Sequence, residues 1–213
     1  MEPIANPLFN SETVAHPLPT DPREINAVVL AARHCYCLHP YFSMRYGSRG
    51  STFARSDGGY LVTLVEQPQG KVDKQVFWLA NLLARRGMPR WLMEAHLDCL
   101  YAALSAAVPE RENAFCKLQH TANLLRAARQ RWIPQSDFDE LLATFDSACP
   151  GWITNAGGLM GAAVCDEYCG LDMAVPSLMS WMADDSRFSQ RWCKAANETL
   201  ERARSIAAQA KAR

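Results

Sequence analysis

The chain reads as all-α: a single-domain bundle of about eight or nine helices, with the first helix central and buried. Three observations predict this. Apolar residues recur at helical spacing in almost every segment after residue 20. Pro, Gly, Asp, Asn and Ser stand where helices should start and stop. Only one stretch, 60–66, has the β-branched content of a strand, and no second strand is present to pair with it. At 213 residues and 49% hydrophobic, the chain is long enough to bury a substantial core.

Residues 1–20 carry Pro3, Pro7, Pro17 and Pro19 without the basic and apolar regions of a signal peptide, and are expected to form an extended or disordered arm. Asp21-Pro22 then opens the first helix, the acid as N-cap and proline at the first helical position. At about 100° per residue, Ile25, Val28, Val29, Cys35, Tyr36 and His39 share one side. Ala27, Leu30, Ala31, His34 and Leu38 make a second apolar side, leaving a narrow stripe of Arg23, Asn26, Arg33 and Cys37 for water. Pro40 ends or kinks this helix near His39.

Residues 44–60 read as an Arg-, Gly- and Ser-rich loop, and 60–66 as a short helix capped by Ser56 or Asp57. Residues 71–86 and 89–108 make a helical hairpin around Gly87, with Met93, Leu97, Leu100 and Leu104 on the inner face of its second member. A fifth helix covers 110–132, and a sixth is capped by Ser136 with acids in its first turn. Asn155 begins a seventh, Pro176 a short eighth and Ser186 the last. Residues 21–213 are expected to form one helical domain, with Pro150-Gly151 as the place for any subdivision. The helix count is similar to that of globins and phycobiliproteins, a fold-level likeness that carries no functional warrant.

Charge excludes little but is informative. Lys+Arg and Asp+Glu are equal at 22 each, which gives nucleic acid no electrostatic footing. No apolar run approaches the ~20 residues of a membrane span. The eight cysteines are scattered and form no CxxC pair, the pattern of reduced thiols in a cytoplasmic protein.

Potential metal chemistry is densest in His34-Cys35-Tyr36-Cys37-Leu38-His39. Helical geometry divides the group: Cys35 and His39 share a face, whereas His34 and Cys37 point elsewhere. A tetrahedral zinc would need further ligands from His96, Cys99, Cys165 or Cys169. The plainer alternative is a core thiol at Cys35 and a hydrogen-bonded histidine at a helix end. His96, near the apolar face of the fourth helix, is a core histidine or an axial ligand for an iron tetrapyrrole.

Two further features suit a ligand. Arg45, Arg49 and Arg55 lie among glycines and serines, where guanidinium forks and free backbone N–H groups could take carboxylates or phosphates. On the seventh helix Gly158, Gly161, Ala162, Cys165 and Cys169 fall on one face. That face suits either the close approach of another helix or a slot for a flat molecule. The last helix is basic, and Met173, Met179, Trp181 and Met182 before it form an adaptable apolar group. No Gly-x-Ser-x-Gly, HExxH or GxGxxG pattern occurs.

The leading expectation is therefore a non-catalytic helical protein that binds a flat anionic small molecule, with haem or another tetrapyrrole as the concrete ligand. In this reading Arg45, Arg49 and Arg55 hold carboxylates, His39 or His96 is the metal ligand, and the face of Gly158, Gly161, Cys165 and Cys169 forms the slot. The alternative is a cofactor-free interaction or adaptor protein with a protein partner. A third is a cysteine-dependent enzyme using Cys37, with Arg33 four residues back.

Overall fold

The computed structural model describes residues 17–151 and 153–212; most of the expected N-terminal arm lies outside them. The described residues contain nine α-helices and no strand. They are α1 (Pro22–Leu38), α2 (Tyr41–Leu64), α3 (Gln69–Ala84), α4 (Arg90–Ala107), α5 (Glu112–Gln130), α6 (Gln135–Ala148), α7 (Ala156–Tyr168), α8 (Ala174–Met182) and α9 (Gln190–Lys211), with a 3-10 turn at Pro109–Arg111. Among them no helix is long and apolar enough to cross a membrane.

Residues 17–76 and Ala95–Ala122 pack as one compact unit, and Phe77–Glu94 and 123–212 as a second; α3, α4 and α5 each give one end to each.

In the first unit α1 starts as its sequence predicts, with Asp21 Oδ1 accepting the Arg23 backbone N–H at 2.8 Å. It stops at the C-cap His39. Ala27, Val28, Ala31, Ala32 and Cys35 are buried. The second apolar side is split: Ala27 and Ala31 face inward, but Leu30 is 61% and Leu38 45% exposed, and His34 is also exposed.

The largest departure from the sequence reading is 44–60, which is helix rather than loop. It forms most of α2, and Tyr60–Leu64 completes that helix instead of starting a new one. The break falls at Gly47, whose φ of 56° and ψ of −150° are not helical. The remaining glycines serve packing. A Cβ on Gly50 would lie 2.7 Å from the Tyr36 hydroxyl, and one on Gly58 would lie 3.1 Å from Val28 Cγ1 and 3.2 Å from His96 Nε2. Each glycine costs about 1 kcal/mol of helix propensity relative to Ala, but close approach of α1 and α4 offsets it by burying Val28, Leu61, Val62, Leu97 and Leu100. Polar ties finish the unit. Arg111 pairs with buried Glu24 and with Glu66, and Lys117 Nζ donates to the carbonyls of Val65 and Gln67 just past the end of α2.

In the second unit α7 is the helix buried all round, from Ala156 to Asp166, packed by α6, α8 and α9. α6 begins at Gln135 after Pro134, so Ser136 is not its cap. α8 begins at Ala174, two residues before Pro176. The cap of α9 is Ser189, whose Oγ accepts from Trp192 N; Ser186 bonds Asp184 instead. Asn155 does precede α7, in the left-handed conformation. Gly87, with φ of 85°, closes α3 as expected: the Met88 N–H returns to the Leu83 carbonyl at 3.0 Å.

Candidate functional site

The predicted arginines lie on a helix, and their guanidinium groups are engaged nearby. Arg45 donates to the Tyr41 hydroxyl at 2.6 Å and lies over the rings of Tyr41 and Tyr46. Arg49 lies over Phe53. Arg55 Nη2 donates to Thr52 Oγ1 at 3.2 Å, while its Nε is buried without a hydrogen-bond partner. Tyr36, stacked on Phe42 at 4.9 Å, sits beside this group, and burial pushes its phenol up. Burial also raises Asp57 to about 6.

Both candidate metal-ligating histidines are buried and neutral at pH 7. Desolvation alone brings His39 and His96 down to about 4. His39 packs edge-on to Phe42. His96 Nε2, which makes no hydrogen bond, points at α2 beside Gly58. No three His, Cys, Asp or Glu side chains among the described residues are grouped to hold a metal ion.

The slot expected on α7 is filled. A Cβ on Gly157 would lie 2.2 Å from the Leu141 carbonyl oxygen. One on Gly158 would meet Leu142 and Trp91 within 3.0 Å, and one on Gly161 would meet Leu141 and Phe138 within about 3.3 Å. The small face therefore serves the approach of α6 and of Trp91, the plainer of the two alternatives. Cys165 is buried, and its thiol is pushed up well above the ordinary range by desolvation. Cys169 is exposed and accepts the Trp132 indole N–H at 3.2 Å. The histidines and Arg45, Arg49 and Arg55 belong to the first unit, and the α7 residues to the second.

A cleft that the sequence reading did not anticipate opens where α6 ends and α9 begins. Ala148, Cys149 and Pro150 form one wall and Phe188, Ser189, Arg191 and Trp192 the other, around about 320 Å³. Its aromatic residues are fixed. Phe188 and Trp192 stack at 4.9 Å, Trp192 meets Phe145 edge-on at 4.7 Å, and the Trp192 indole donates to the Met182 carbonyl at 2.9 Å. Arg191 is exposed and forms no ion pair with a described residue. The first turn of a 22-residue helix adds its positive dipole end. Burial pushes the Cys149 thiol up, which disfavours it as a nucleophile. Phe188 and Trp192 read in sequence as the core side of a helix; only their meeting with 148–150, far away in the chain, makes a cleft.

The sequence matches no family model, and neither a curated protein nor a solved structure matches it.

Proposed function

We propose that the chain is a non-catalytic helical protein that binds a flat anionic small molecule in the cleft between the end of α6 and the start of α9. The observation that carries this is the combination of a fixed Phe188–Trp192 pair with Arg191 and a helix N-terminus on one 320 Å³ cleft. The rings take the apolar face of the ligand. Arg191 and the first-turn N–H groups take its carboxylate or sulfonate. The volume is at the small end of the ~300–1,000 Å³ typical of ligand sites. It suits one or two fused rings better than the four of a tetrapyrrole. An iron tetrapyrrole on His96 would also have to part α2 from α4, because Nε2 abuts Gly58.

The test is a fluorescence and calorimetric titration with 1-naphthoate, indole-3-acetate and haemin, on wild type, Arg191→Glu and Ala148→Leu. Saturable binding of the two-ring anions that both substitutions weaken at least tenfold supports the reading. Equal binding by all three proteins, or none by wild type, overturns it. A Soret band that His96→Ala removes would return the site to the first unit.

A second reading, an interaction protein, is favoured by the exposure of Leu30 and Leu38 on one side of α1, with exposed Met44 following in α2. Charged substitutions at Leu30 and Leu38 that abolish a concentration-dependent assembly would support it.

A further inference from the structure

We propose that the ligand of the α6–α9 cleft is an aromatic amino acid, held as a zwitterion with its carboxylate toward α9 and its ammonium toward α6. This rests on that cleft being the ligand site, and narrows the ligand from any flat anion to one that carries its own cation. The two helices run antiparallel. Arg202, far along α9, pairs with Glu140 at 2.6 Å and donates to Thr144 at 3.4 Å, while the first turn of α9 meets the last residues of α6 at the cleft. The positive end of α9 and the negative end of α6 therefore open side by side, at the same end of the pair.

Each end keeps backbone groups that its own helix does not use. At the start of α9, Ser189 accepts the Trp192 N–H on its side chain at 3.3 Å and the Cys193 N–H on its carbonyl at 3.0 Å. The N–H groups of Gln190 and Arg191 have no helical carbonyl behind them, and the Arg191 guanidinium adds a full charge. At the end of α6 the Cys149 N–H closes on the Phe145 carbonyl at 2.9 Å. Pro150 then has no N–H to give the Asp146 carbonyl. No backbone N–H of a described residue reaches the carbonyls of Asp146, Ser147 or Ala148, and no basic residue stands in that last turn to neutralise it. One wall thus presents donors and positive charge, the other acceptors and negative charge. A carboxylate and an ammonium on one carbon match these adjacent ends, whereas a simple aromatic acid leaves the α6 carbonyls to water. The stacked Phe188–Trp192 pair takes the aromatic side chain. The Trp192 indole N–H is spent on the Met182 carbonyl, so the ring offers the ligand its apolar surface.

The test is isothermal titration calorimetry of the full chain with L-tryptophan, indole-3-propionate and tryptamine, which share one ring system and one chain length. Tryptophan is expected to bind roughly five- to tenfold more tightly than indole-3-propionate, with tryptamine the weakest. Arg191→Glu should weaken tryptophan and indole-3-propionate and strengthen tryptamine. Ala148→Lys should weaken tryptophan yet strengthen indole-3-propionate, a reversal that blockage of the cleft does not produce. If a variant does not fold, the wild-type order of the three ligands decides. Indole-3-propionate binding as tightly as tryptophan would overturn the amino-acid ligand and leave the anion site standing. No binding of either carboxylate, or tightest binding of tryptamine, would overturn both.

Discussion

Asp166 near the end of α7 binds Arg90 twice: Oδ2 accepts the Arg90 backbone N–H at 2.9 Å, and Oδ1 accepts Nε at 2.6 Å. One carboxylate thus caps α4 and neutralises the guanidinium beside it. In sequence Arg90 looks misplaced, a cation at a helix N-terminus. The buried acid from α7 restores the expected sign there. Burial raises the Asp166 carboxyl, and Arg90 draws it back only in part.

Because both side chains are almost wholly buried, removing one partner strands the other. Asp166→Ala is expected to destabilise the fold by about 3–5 kcal/mol, and Arg90→Ala by a comparable amount. The double substitution Arg90→Ala with Asp166→Ala should cost much less than the sum of the single ones, since no unpaired charge remains. Urea midpoints for the four proteins of this cycle measure the coupling.

The buried imidazoles make stability fall in acid. His96 is held at about 4 against an ordinary 6.5. Between those values the unfolded chain binds the proton and the folded chain does not. His96 alone should remove roughly 2 kcal/mol of stability between pH 7 and pH 5, and His39, shifted in the same direction, adds to the loss. Asp57 acts oppositely: raised to about 6, it is protonated in the folded state first and returns some stability as pH falls. Unfolding free energy should therefore drop less steeply with acid in His96→Gln than in wild type, and more steeply in Asp57→Asn. Denaturant titrations at pH 7, 6 and 5 read the slopes; parallel slopes for wild type and His96→Gln would refute the assignment.

How much of this was legible in sequence differs residue by residue. Asp21-Pro22, Gly87 and Asn155 place helix ends correctly, because a cap is a local contest of backbone hydrogen bonds. Periodicity places the other helices of the described residues but not α2, because a buried face repeats locally along the chain. The region 44–60 misleads because glycine has opposite uses. Its composition reads as loop, yet Gly50 and Gly58 are there for what crosses them, Tyr36 and His96, and those partners lie elsewhere in the chain. Ser136 and Ser186 misplace two caps by a few residues: α6 starts after Pro134 without a side-chain cap, and at α9 the role falls to Ser189, three residues on. The cleft at Trp192 was illegible because an aromatic at helical spacing signals burial and does not say what is missing beside it.

The same argument separates two glycines that look alike in sequence. Gly70 lies in the first turn of α3, and a Cβ there would meet nothing within 4 Å, whereas Gly157 lies on α7 against the Leu141 carbonyl. Gly70→Ala should raise stability by about 0.5–1 kcal/mol through the unfolded chain and helix propensity. Gly157→Ala should lower it by about 1–3 kcal/mol, since backbone rather than a flexible side chain has to move. Thermal melts of the two variants should shift in opposite directions.

Gly47 isolates backbone strain from packing. Nothing lies within 4 Å of where its Cβ would sit, so no contact resists a side chain there. Its φ of 56° with ψ of −150° is nevertheless a region that essentially only glycine enters. Gly47→Ala is expected to cost about 1–3 kcal/mol, although the methyl group meets only solvent. If α2 can straighten through this point, the variant escapes the penalty by joining 41–46 to 48–64 as one continuous helix, and helical circular dichroism rises while stability is kept. If the break is enforced by the stack of Tyr36 on Phe42 and the hold of Arg45 on Tyr41, both on the N-terminal side of the glycine, helicity stays constant and the melting temperature falls. These contacts favour the second outcome, because straightening the chain would pull Phe42 and Tyr41, both buried, out of the core.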